Sequence, residues 1–175
     1  MFGDLLIRWT IRLSLAAYVG RLGLRIVNPA SDDSGPWRIA RGLWTAGCVL
    51  AGLHVAAAFQ FEHHWSQSAA WEQTARDTAA VVGLNWGGGV FFNYAFLLVW
   101  AFDAGWWWMA PETYVRRPIA LRWLIDGYLA FIAFNATIVF KTGWLRWVGI
   151  AVTVGLLVAW RRLRFVATSR RFTRL

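Results

Sequence analysis

The chain has 175 residues, 58% of them hydrophobic, with a mean hydropathy of +0.43. Soluble domains are about 45–50% apolar, so composition argues against a water-soluble domain and for a single integral membrane domain covering residues 1–175. The net charge of +9 implies no nucleic-acid partner, because the basic residues fall between and after apolar runs and form no stripe on a soluble face.

Seventeen of the eighteen basic residues are arginine, leaving Lys141 alone. The single cysteine, Cys48, lies in an apolar run. It cannot form an intramolecular disulfide and reads as a packing residue. The amino terminus lacks the pattern of a cleaved signal peptide: Asp4 comes early, Arg8 and Arg12 interrupt the apolar run, and no small-x-small site follows.

Residues 5–27 have helical character, but Arg8, Arg12, Arg21 and Arg25 break them up. A spanning helix needs about 20 predominantly apolar residues. This segment is therefore read either as an interfacial helix or as a short span whose arginines reach both surfaces, with a slight preference for the first. Asn28–Pro36 carries strong loop signals.

Four clear spans follow, at 43–61, 90–110, 119–140 and 144–160. The expected fold is an all-α polytopic transmembrane helical bundle with four spans and a possible N-terminal fifth. Cys48, Gly52 and Ala56 in the first clear span, and Ala151, Gly155 and Ala159 in the last, recur every four residues as small-residue stripes suited to close helix approach. Trp106, Trp107 and Trp108 suit an interfacial aromatic belt. In the interval 62–89, residues 66–82 read as an outer-surface helix with an apolar stripe and a Glu72–Arg76 pair, followed by a glycine turn at 87–89.

Charge counting sets the orientation. Thirteen arginines, six of them in the tail 161–175, fall on one side, against Arg76, Lys141 and Arg146 on the other. The positive-inside rule then places loop 62–89 outside and the tail in the cytoplasm of a cell with a cytoplasmic (inner) membrane.

Three groups of polar residues invite a functional reading. His54, His63 and His64 are candidate ligands for a transition metal or haem. His54 precedes His63 by nine residues, about 13–14 Å along a continuous helix, so a shared site needs a chain reversal or a second subunit. Asp103 and Asp126, with Arg122 one turn from Asp126, are candidates for an intramembrane proton or ion-pair site, and Arg21 or Arg25 is expected to approach Asp103. Asn93 and Asn135 are candidate polar lining, with interhelical hydrogen bonding as their structural role.

No motif specifies a reaction. The leading reading is a non-enzymatic accessory or assembly subunit, partnered by the lipid bilayer and by other membrane subunits or further copies of itself. A metal- or haem-dependent redox protein using the histidines, and a proton-coupled carrier using the aspartates, are the alternatives.

Overall fold

The computed structural model describes residues 1–27 and 35–172, which contain helices and no strand. The helices are α1 (Phe2–Val27), α2 (Gly35–Phe61), α3 (Gln67–Val82), α4 (Gly89–Met109), α5 (Pro111–Arg116), α6 (Ile119–Phe134, continued by a π-helical turn, Asn135–Val139) and α7 (Trp144–Phe172). Most of the expected loop Asn28–Pro36 and the end of the expected tail lie outside the described residues; Gly35 and Pro36 open α2.

Four helices are long and apolar enough to cross a membrane: Trp37–Phe61, Gly89–Met109, Ile119–Val139 and Trp144–Leu163. They coincide with the four clear spans to within a few residues, except that the first begins six residues earlier. The chain is an all-α membrane protein.

α1 falls outside this set because of its arginines, yet it packs along the whole of α2. Phe2 meets Phe61 edge-on, the Ile7 carbonyl accepts from His54 Nδ1 at 2.9 Å, and the Ser14 hydroxyl donates to the Gly47 carbonyl at 2.8 Å. At the other end the Tyr18 ring lies 5.5 Å from Trp44. Numbers rise on one helix as they fall on the other, so the two run antiparallel from end to end. The buried face of α1, Ile7, Thr10, Ser14, Ala17, Tyr18 and Arg21, repeats at three and four residues as a packed helical stripe must.

Further contacts join α2 to α4, α4 to α6, the π-helical turn to α7, and α7 back to α1, closing the long helices into a ring. The core sits towards one end, where Tyr18, Trp44, Trp100, Trp107, Tyr114 and Leu129 are buried.

The contact face of α2 differs from the expected stripe. Ala40, Trp44, Gly47 and Ala51 are buried, whereas Ala56 is exposed and a Cβ on Gly52 would come no nearer to a neighbour than 4.0 Å, at Leu97 Cδ1. The reason is Trp100, whose ring fills the space beside Gly47: a Cβ there would lie 2.8 Å from Trp100 Cζ2 and 3.3 Å from the Ser14 carbonyl oxygen. Gly47→Val is therefore expected to force α1 and α4 away from α2 and to destabilise by about 1–3 kcal/mol, the usual range for overpacking. A fall in the detergent-solubilised melting temperature, with Gly42→Val as the control in open space, checks it.

α3 begins at Ser66, whose hydroxyl caps Ala69 N, and ends at Gly83 in the left-handed conformation with φ 74°. The Glu72–Arg76 pair forms at 3.9 Å with both side chains exposed, a geometry that adds little stability.

Candidate functional site

The most demanding residue is Asp103, in α4. Its side chain is fully buried, and a buried carboxylate requires charge-paired and hydrogen-bonded neighbours. Trp44 Nε1 donates to Asp103 Oδ2 at 2.9 Å, and the Tyr114 hydroxyl donates to the same oxygen at 2.9 Å. Arg117 Nη1 stands 3.2 Å from Oδ1 without hydrogen-bond alignment, an ion-pair contact.

The short helix α5 makes this arrangement possible. Pro111 starts it at the first turn, where the missing N–H is harmless, and Tyr114 and Arg117, three residues apart, turn back beneath α4. The Arg117 guanidinium lies 3.6 Å over the Tyr114 ring, and that ring stacks on Trp107 at 4.8 Å and 8°. Burial pushes the Tyr114 hydroxyl up to about 12, outweighing the nearby Arg21 and Arg117 charges, so it stays protonated as a donor.

A second ion cluster adjoins the first. Arg21, buried on α1, stacks 4.2 Å over Trp44 and reaches Asp126 Oδ1 at 3.5 Å. Arg25, one turn further, donates to Asp126 Oδ2 at 2.5 Å. Three guanidinium groups thus face two carboxylates across α1, α4, α5 and α6, with the Trp44 indole between the pairs.

The pairing differs from the expected Arg122–Asp126 pair and the approach of Arg21 or Arg25 to Asp103. Asp126 takes Arg21 and Arg25, whose long side chains reach it from α1, and Asp103 takes Arg117, which follows α5. Arg122 instead donates to the Val115 carbonyl at 3.2 Å, holding α5 to the start of α6. Trp107 also departs from a simple belt: it is core, while Trp108 is exposed, donates to Thr45 Oγ1 and receives the Arg41 guanidinium over its ring at 3.9 Å.

The histidines do not converge. His54 donates from Nδ1 to Ile7 O, leaving Nε2 for a ligand in the neutral ring. His63 packs edge-on to Phe59 at 5.5 Å, and His64 lies in the turn beyond with φ 48°. Among the described residues no three His, Cys, Asp or Glu side chains are placed to hold one metal ion. Asn93 is exposed. Asn135 donates to the Phe131 carbonyl at 2.8 Å within its own helix, at the start of the π-helical turn, where it was expected to bond across helices.

A cleft of about 360 Å³ lies between α3 and the following loop, lined by Trp71, Glu72, Arg76, Asn85 and Trp86 among others. Gly87 closes it, since a Cβ there would sit 2.4 Å from the Trp71 carbonyl oxygen.

Comparison with protein families, with curated proteins and with solved structures gave no match to this chain. Sequence reasoning identified Asp103 and Asp126 but missed Trp44, Tyr114 and Arg117. The available signal was the i, i+3 placement of Tyr114 and Arg117 directly after a helix-starting proline.

Proposed function

We propose that the chain is a non-enzymatic accessory or assembly subunit of a complex in the cytoplasmic membrane. It crosses the bilayer five times, with the amino terminus and loop 62–89 outside and the basic tail inside. The observation that carries the reading is the structural engagement of Asp103: Oδ2 accepts from Trp44 and Tyr114 and Oδ1 faces Arg117, so the fully enclosed carboxylate ties α2, α4 and the end of α5 together. An ionisable residue in a membrane interior is a functional candidate by default, and here its bonding explains its presence.

The five-crossing topology follows from α1 lying against α2 through its full depth. At 1.5 Å per residue its 26 residues extend about 39 Å, and an interfacial helix would cross α2 at a steep angle. Interpolating between the Ile7–His54 and Ser14–Gly47 contacts sets Arg12 level with residue 49 of α2, the midpoint of the span Trp37–Phe61. An arginine at a helix centre costs about 2.5–3.5 kcal/mol on insertion scales, so such a residue calls for a partner.

α7 adds support for assembly. No residue in its apolar window is fully buried within the chain; beyond its contacts with the π-helical turn and α1, exposed residues such as Trp147, Val154 and Leu157 offer a face for other helices. A carrier reading draws less support, because Asp103 and Asp126 are each held by their own arginines. The metal or haem reading requires histidines from a second subunit.

Purification in mild detergent from the native membrane, followed by native mass measurement, tests the proposal. A defined complex with a second polypeptide at fixed stoichiometry is expected; a solitary monomer contradicts it.

A further inference from the structure

We propose that the outward face of α1 centred on Arg12 docks a membrane helix of a different protein, one carrying a carboxylate at mid-depth. This rests on the accessory-subunit reading and on α1 crossing the bilayer.

Three observations carry it. Arg12 is level with the midpoint of α2, as derived from the Ile7–His54 and Ser14–Gly47 contacts. It is only half-buried, and its guanidinium lies over the ring of Trp9 of the same helix, 5.4 Å from the centroid. The surrounding face, Leu5, Trp9 and Leu13, is about half-exposed and apolar, so Arg12 is a cation set in a surface that otherwise suits lipid or a packed helix.

The occupant follows from the charge. Neither Arg8 nor Arg12 has an ion pair among the described residues, in contrast to Arg21, Arg25 and Arg117. Arg8, one turn nearer the outer surface, is exposed and lies within reach of the headgroups by extension of its side chain. Arg12 sits about 15 Å from either edge of a hydrocarbon layer of about 30 Å, beyond such reach.

A second copy of this chain cannot supply the counter-charge. Of the carboxylates in α1 and the described spans, Asp4 lies in the first turn of α1 beside the Met1 amine, two turns from Arg12, Asp103 is enclosed and Asp126 is held by Arg21 and Arg25 near the other end of α1. Pairing two α1 faces would also set like charges together. The chemistry left is a carboxylate on another protein's membrane helix, for which intramembrane arginines pair readily.

The test uses the full chain in phosphatidylcholine vesicles, with and without phosphatidylglycerol, and two synthetic leucine-rich transmembrane peptides. One peptide carries a single central aspartate and the other is wholly apolar, and each bears an acceptor for energy transfer from the protein's tryptophans. The wild type is expected to bind the aspartate peptide at least tenfold more tightly than the apolar one in both vesicle types. Arg12→Leu, a change that keeps the helix apolar and intact, is expected to abolish the preference, and Arg8→Leu to retain most of it.

Equal binding of the two peptides, or a preference that survives Arg12→Leu, overturns the proposal. Loss of the preference when phosphatidylglycerol is present also overturns it and assigns the site to lipid phosphate. A native complex whose assembly is unchanged by Arg12→Leu overturns the docking face while leaving the accessory role standing. A solitary chain in native membranes that still selects the aspartate peptide sinks the accessory role alone.

Discussion

Arg117→Met is expected to destabilise the protein by about 3–5 kcal/mol, the range for breaking a buried ion pair from one side. The loss arises from what remains: Asp103, fully buried, keeps the Trp44 and Tyr114 hydrogen bonds but no longer faces a cation. Asp103→Leu is expected to do comparable harm from the other side, leaving the buried Arg117 guanidinium without its carboxylate. The double variant Asp103→Leu/Arg117→Met removes both charges together, and apolar replacement of a buried pair is often near neutral. It still leaves the Trp44 and Tyr114 donors unmade, at about 1–3 kcal/mol each if they stay dry. The double variant should therefore be more stable than the sum of the single losses predicts, by at least about 1 kcal/mol of coupling. Reversible unfolding in mixed micelles measures all four proteins. Strict additivity would show that the pair is not coupled.

Trp44→Ala is the second large effect, expected at about 3–5 kcal/mol for truncation of a buried aromatic side chain. Trp44 joins four partners in the core: its ring touches Tyr18 and Trp100, supports the Arg21 guanidinium, and its N–H binds Asp103. Trp44→Phe separates these roles. It keeps an aromatic face for Arg21 but deletes the hydrogen bond to a charged acceptor, which contributes about 1.5–3 kcal/mol. The expected order of stability is wild type, then Phe, then Ala, with a clear step at each change. A Phe variant indistinguishable from wild type would remove the Trp44–Asp103 bond from the energetics.

Much of the fold was legible because membrane spans obey a strong rule: backbone groups in lipid must bond internally, so long apolar runs are helices. The four clear spans, the helix 66–82 and the glycine turn after it all came from such local signals. Side-chain pairing was less legible because it depends on tertiary placement. Arg122 and Asp126 share a helix face by spacing, yet Asp126 is taken by Arg21 and Arg25 from a helix a hundred residues earlier. PETYVRRP reads locally as a polar connection, and only its packing under α4 makes Tyr114 and Arg117 interior. The stripe on α2 was misplaced by one face because a tryptophan, Trp100, and not a small residue, faces Gly47.

α1 shows the same limit most sharply. Its four arginines break the apolar run that marks a span, so composition leaves its orientation open. Tertiary contact accounts for two of them: Arg21 and Arg25 are absorbed by Asp126 of α6, while Arg8 and Arg12 have no ion pair among the described residues.

The topology of α1 is open to one direct measurement. In a Cys48→Ala background, Phe2→Cys, Ser68→Cys and Glu112→Cys place single thiols at exposed positions at the start of α1, on α3, and between α4 and α6. Each is probed with a membrane-impermeant maleimide on intact spheroplasts and after permeabilisation. With α1 as a fifth crossing, positions 2 and 68 label on intact spheroplasts and position 112 labels only after permeabilisation. Labelling of position 2 only after permeabilisation, together with 112, would contradict the crossing and, with it, the mid-membrane position of Arg12.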